Sequence, residues 1–161
     1  MAIVRNRKTY NKRSKLRRVK VGLKLRKLTK LCKAEISWVD NILSWTVPIY
    51  LKSPNLQVHY RTQGKINEKI ARELMIHMPK EIKFISLPCE IIFTRIAPRR
   101  LDSDNNTFAF KYIRDYISSH LRPGLRAGRA DTEDLFKFDY SQESSDKGTY
   151  GIKITIKNLA V

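Results

Sequence analysis

The 161-residue sequence predicts an α+β domain, a small mixed sheet packed by two helices, behind a strongly basic N-terminal arm. Three observations carry that expectation. Apolar residues recur at helical spacing in two segments, Ile66, Ile70 and Leu74 and then Phe108 to Ile117. Apolar and polar residues alternate at Tyr150, Ile152, Ile154 and Ile156, the period of a half-buried strand. Charge is divided unevenly: of 33 Lys and Arg and 15 Asp and Glu, fourteen basic residues and no acid fall within residues 1–34. That stretch is +14, and the other 127 residues, with 19 basic and 15 acidic side chains, are only +4.

The arm commits to no single structure. Val19, Val21, Leu23 and Leu25 alternate as in a strand, whereas Leu28, Leu31 and Cys32 recur at helical spacing. It reads either as a solvated tail or as a segment that neutralises phosphates and orders on nucleic acid. A mitochondrial transit peptide, also basic and acid-poor, is a minor alternative. The arm is taken as residues 1–44 and the domain as residues 45–161.

Within the domain, Trp45 to Leu51 reads as a first strand, at an edge because Pro48 interrupts it. Ser53-Pro54-Asn55 is a turn. A first helix spans about Asn67 to His77 and is ended by Pro79. Ile82 to Ile85 and Pro88 to Ile96 look extended. Pro98-Arg99-Arg100 breaks the chain, and a second helix runs from about Asp104 to His120, closed by Pro123-Gly124. Leu135 to Gln142 and Tyr150 to Ile156 are two final strands, joined as a hairpin by the loop holding Lys147-Gly148. There is no internal repeat.

Several chemistries are excluded early. Cys32 and Cys89 are too few and too distant for a disulfide framework or a paired-cysteine zinc site, and His59, His77 and His120 are scattered. Two unpaired cysteines suit a reducing, intracellular compartment. No apolar run approaches the roughly 18 residues of a membrane span, and no signal-peptide core is visible. Gly-rich phosphate loops and Ser-His-Asp arrangements are likewise missing.

One segment stands apart. Leu101-Asp102-Ser103-Asp104-Asn105-Asn106, with Lys111 and Asp115 on the helix after it, gathers three carboxylates, an amide and a lysine in an otherwise basic protein. Mg²⁺ takes oxygen ligands and retains several waters, so closely spaced carboxylates suit it. On a continuous helix, Asp104, Lys111 and Asp115 would fall within about 40° of one another, beside an apolar face of Phe108, Ala109, Tyr112, Ile113, Tyr116 and Ile117. The bland alternative is an N-cap Asp102 and an ordinary Lys111–Asp115 ion pair on a wet surface.

The run Thr94-Arg95-Ile96-Ala97-Pro98-Arg99-Arg100-Leu101-Asp102-Ser103-Asp104-Asn105, continued by Ala109-Phe110-Lys111 and Arg114-Asp115, resembles the core signature of the RusA-like Holliday junction resolvases. The likeness is to the phage and prophage branch. It extends upstream to Pro54-Asn55 and His59-Tyr60-Arg61 and downstream to Tyr140-Ser141-Gln142-Glu143, covering about residues 46–157. It implies a Mg²⁺-dependent endonuclease with a small α+β fold, acting inside the cell as a homodimer on branched DNA. By the same resemblance Asp102, Asp104 and Asp131 hold the metal and Lys111 is the essential lysine, with Asn105 and Asp115 as supporting polar groups of the signature. Glu133 or Asp134 is the residue that would compensate for the family's second acid beside Asp131. Asn106 stands where the family usually has a leucine, at a position that packs. The family usually has two acids where this chain has Ala130-Asp131.

Further residues suggest contacts to DNA. Arg99 and Arg100 precede the acidic cluster, and Arg126 and Arg129 lie in a long basic loop before Asp131. His59 and Arg61 are candidate phosphate contacts, and Tyr60 is either a stacking platform or core. Trp38 and Trp45 read as packing anchors. The remaining reading is a basic nucleic-acid-binding protein, of DNA or RNA, whose carboxylates are structural.

Overall fold

The computed structural model describes residues 30–55, 59–124 and 134–159. In chain order the elements are β1 (Lys30–Leu31), β2 (Ile36–Val39), β3 (Ile42–Val47), α1 (Tyr60–Ile76), a 3₁₀ turn (Lys80–Phe84), β4 (Cys89–Ala97), α2 (Ser103–Ala109), α3 (Lys111–Leu121), β5 (Phe136–Ser144) and β6 (Thr149–Asn158). The fold is α+β, a mixed sheet packed by helices. Its five longer strands run in the order β2-β3-β6-β4-β5, antiparallel except for the parallel β4–β5 pair. Leu31–Val161 form one compact unit. That unit takes in residues 31–44, which the sequence reading gave to the arm.

The N-terminal addition is a hairpin. β2 pairs with β3 across a two-residue turn, and the turn residues Asp40 and Asn41 have φ of 50° and 62°. Two consecutive left-handed residues match the right-handed twist of the flanking strands, and Asp and Asn tolerate that conformation best after glycine. β3 is therefore an interior strand, not the edge expected from Pro48. It ends at Val47, just before the residue that has no N–H to give. Cys32 N donates to Tyr150 O at 2.9 Å, and Gly151, with no Cβ, leaves room for the Cys32 thiol.

Two expected elements change more. β5 and β6 do not form a hairpin, because β4 lies between them and pairs with both. β4 is apolar and buried over most of its nine residues, so two hydrogen-bonded neighbours cover it better than one. Alternation in β6 fixed which face it buries, not which strand it pairs with. The second helix is also not continuous. At Phe110 the chain turns, with Phe110 N bonding back to Thr107 O at 3.2 Å, a tightened i−3 bond that closes α2 before α3 begins. The break puts the Phe110 ring fully into the core, stacked on Phe93 with centroids 5.4 Å apart. Phe108, expected on the apolar face, is instead 68% exposed. Ile82 belongs to the 3₁₀ turn rather than to a strand.

The helix over Asn67–His77 begins earlier, at Tyr60. His59 is its N-cap, its Nδ1 accepting from Arg61 N at 3.4 Å. Histidine is an uncommon cap, so the first two turns, polar and exposed, gave no start signal.

The core lies on one face of the sheet. Pairing places Trp45, Ile154, Phe93 and Tyr140 in one layer across four strands, with Leu43, Ile156, Ile91 and Phe138 in the layer beside it. Ile70 and Leu74 of α1 and Ile113 and Ile117 of α3 join the same cluster. Trp45 is buried as an anchor, while Trp38 on β2 is partly exposed. The opposite face is polar. Ser44 and Thr155 hydroxyls meet at 3.0 Å and those of Thr94 and Ser141 at 2.6 Å, while Glu90 bridges Lys137 and Lys157 at 3.0 and 3.3 Å.

Candidate functional site

The next layer on the core face is Val47, Ile152, Arg95 and Gln142. Here two polar side chains replace apolar ones, and both reach the segment that enters α2. Gln142 closes a two-bond clamp on Leu101: its Nε2 donates to Leu101 O and its Oε1 accepts from Leu101 N, each at 2.8 Å. Arg95, only 7% exposed, donates from Nη1 to Arg99 O at 2.7 Å. Burial pulls the Arg95 pKa below its usual range, opposed by the neighbouring Tyr50 and Tyr150, and its Nε is buried without a partner. Ser145 N adds a bond to Ala97 O at 3.3 Å. The chain from Ala97 to Leu101 is thus held at three points, by Arg95 of β4, Gln142 of β5 and Ser145 in the turn after β5.

What this clamp presents is the acidic turn. Asp102 occupies the N-cap position of α2 with extended backbone, φ −62° and ψ 154°, but its side chain makes no capping bond. Its backbone O accepts from Asn106 N at 2.9 Å, and its Oδ2 is approached by Asn105 Nδ2 at 3.5 Å. Asp104 follows in the first turn, touched at Oδ1 by Ser103 Oγ at 3.4 Å. Both carboxylates are exposed. Asn106 is 2% exposed and donates from Nδ2 to Ser141 O at 3.3 Å. The polar residue at that packing position becomes a fourth tether of the turn to β5. In the sequence, Ser141 and Gln142 are distinguished only by the resemblance. Their role, holding the acidic turn, needs the parallel β4–β5 pairing to be seen.

The bland reading of Asp102 as a capping side chain therefore does not hold. No ion pair to Lys111 occurs among the described residues, and Asp115 Oδ1 lies 3.7 Å from Arg114 Nε. The continuous-helix alignment of Asp104, Lys111 and Asp115 also fails, because the break at Phe110 puts Asp104 on α2 and the other two on α3. Lys111 and Asp115 instead line a cavity of about 490 Å³ with Tyr50–Pro54, α1 and the α2–α3 junction, and Asp102 and Asp104 do not line it.

Among the described residues no three of His, Cys, Asp and Glu come together as a metal site. Asp131 and Glu133, with the loop arginines Arg126 and Arg129, lie outside the described residues. The donor set of the turn, two exposed carboxylates with the Asn105 side-chain amide beside Asp102, is nonetheless the hard oxygen chemistry that Mg²⁺ takes. Arg99 and Arg100 are exposed on the approach to the turn. At the start of α1, Tyr60 is 70% exposed and so not core, with Arg61 Nε donating to its hydroxyl at 3.1 Å. No helix among the described residues is long and apolar enough to cross a membrane.

Comparison with known proteins adds little. No family model matches the chain, and no curated protein matches it. Among solved structures, a Salmonella typhimurium protein described as a "putative translation initiation inhibitor" aligns over 77% of this chain and 86% of its own. At 13% identity and a TM-score of 0.32, that likeness carries no argument about fold or function.

Proposed function

We propose that this protein is a Mg²⁺-dependent, structure-selective DNA endonuclease of the RusA-like type, cutting four-way or related branched DNA as a homodimer inside a bacterial or phage-infected cell. The observation that carries the reading is the clamped acidic turn. Tethers from Gln142, Arg95, Ser145 and Asn106 hold a segment whose two carboxylates are exposed and, apart from Asn105 and Ser103, are left to meet something else. Asp102 and Asp104, with Asp131, would hold the cation, which when bound polarises a phosphate and lowers the pKa of its water. Asn105 orients the Asp102 carboxylate. By the resemblance, Lys111 would offset charge building on the phosphoryl oxygens, with Asp115 and Glu133 in support. That role requires the scissile phosphate to span from the turn to the cavity that Lys111 and Asp115 line. Gln142, Arg95 and Asn106 are positioning residues, because they touch the turn rather than the phosphate.

His59, Arg61, Arg99, Arg100, Arg126 and Arg129 contribute phosphate contacts in this reading, and the arm contributes charge. Residues 1–29 carry twelve Lys and Arg. Deleting them flattens the fall of log affinity with log salt, because fewer counterions are released. A four-way junction needs two nicks, so one site per chain calls for an isologous dimer, which sedimentation at micromolar concentration tests.

The second reading is a non-catalytic nucleic-acid-binding protein. It is favoured by the placement of Lys111, which lines a cavity that Asp102 and Asp104 do not line. Incubating the protein with a synthetic four-way junction, with Mg²⁺ and with EDTA, separates the two. Paired nicks that require Mg²⁺ support the endonuclease, and binding without cleavage supports the alternative.

A further inference from the structure

We propose that the cavity beside Lys111 binds one unpaired nucleotide, its base against Phe108 and Tyr112 and its phosphate between Lys52 and Lys111. The inference rests on the nucleic-acid reading for the source of that nucleotide, and not on cleavage. The volume, about 490 Å³, lies within the range of small-molecule sites. Its lining is amphipathic in a particular way. Phe108 belongs to a helix yet is 68% exposed, while Phe110 two residues on is fully buried. The chain thus leaves one aromatic ring at the cavity and places the other in the core. An exposed ring beside two lysines offers a stacking surface and a phosphate contact within one site.

The α1 side of the lining adds a polar pattern. Gln63 Nε2 donates to Asn67 Oδ1 at 2.9 Å. That bond leaves Gln63 Oε1 as an acceptor and the Asn67 Nδ2 hydrogens as donors on the lining, the two kinds of group a base edge pairs with. Lys52 and Lys111 bring two positive charges to the same lining. Asp115 also lines it, but Arg114 lies 3.7 Å from its carboxylate and offsets its charge. A simple anion would need no exposed ring, and an apolar ligand would need no lysines. A base already unpaired at a branch enters without the cost of breaking a pair.

The test uses isotope-labelled full-length protein titrated separately with dAMP, deoxyadenosine and inorganic phosphate, read by NMR. Expected are saturable shifts from dAMP at the Gln63 and Asn67 side-chain amides and the backbone amides of residues 108–112. Deoxyadenosine, or dAMP with Phe108→Ala, binds about tenfold more weakly, whereas Phe108→Trp binds as wild type. No shifts at the cavity, the same shifts from phosphate alone, or unchanged affinity in Phe108→Ala would overturn the proposal. Failure of the endonuclease reading is separate, and shows as an intact junction in the presence of Mg²⁺.

Discussion

The layer Trp45, Ile154, Phe93, Tyr140 and the layer Val47, Ile152, Arg95, Gln142 are neighbours on one face of the same sheet, two residues apart along each strand. In the first, Phe93 is sealed in and stacks on Phe110, Phe138 and Tyr140, with centroids 5.4 to 6.2 Å apart. In the second, Arg95 and Gln142 turn their polar ends to the backbone of Arg99 and Leu101. Apolar burial there would have given more stability. Burying Arg95 leaves its Nε without a partner, a cost accepted where the chain must hold a loop rather than fill space. The first layer stabilises the fold, and the second fixes the shape of the acidic turn.

The largest effect expected from breaking this contrast is on the apolar side. Phe93→Ala empties the middle of the sheet and costs about 3–5 kcal/mol, read as a fall in the urea midpoint. Gln142→Leu keeps the volume but removes both bonds to Leu101, costing about 1–3 kcal/mol. Hydrogen exchange at the Leu101 amide should speed up, and any junction cleavage should drop by more than the stability loss explains. Equal losses in both measurements would make Gln142 merely structural.

A position outside both layers serves as a control. Gly64 lies within α1 with open space where a Cβ would go, so Gly64→Ala should stabilise by about 0.5–1 kcal/mol without changing cleavage. The smallest effect is on the polar face. Hydrogen bonds from Lys137 and Lys157 hold the Glu90 pKa below its usual value. A depressed folded pKa gives stability that is present above the unfolded carboxyl pKa, about 4.3, and is lost as pH falls through the folded value. Glu90→Gln should therefore cost a few tenths of a kcal/mol at pH 7, and the difference from wild type should shrink toward pH 3.

Much of the fold was legible for specific reasons. The period of Ile152, Ile154 and Ile156 gave β6, and Ile70 and Leu74 gave the buried stripe of α1. Strand partners were not legible, since alternation sets a face and not a neighbour, and so β4 between β5 and β6 was unexpected. The break at Phe110 was hidden because Phe108 and Phe110 look equally apolar, and only the core decides which ring it takes. The β2–β3 hairpin had a signal in Asp40-Asn41, masked by the basic charge before it. At the site, Asp102, Asp104 and Lys111 stood out by composition. Gln142 and Arg95 could not, since they reach the turn through strand pairings across about 40 residues of chain for Gln142 and a bend of the backbone for Arg95.

If the clamped turn uses its carboxylates for cleavage, losing one of them must separate cutting from binding. The most direct measurement compares wild type with Asp104→Asn on a labelled four-way junction, following binding and cleavage in parallel with Mg²⁺ and with EDTA. Paired nicks are expected only for wild type with Mg²⁺, and junction binding by Asp104→Asn should be unchanged or tighter, because a negative charge facing phosphate is gone. Cleavage by Asp104→Asn at the wild-type rate, or by wild type in EDTA, would contradict that use of the carboxylates.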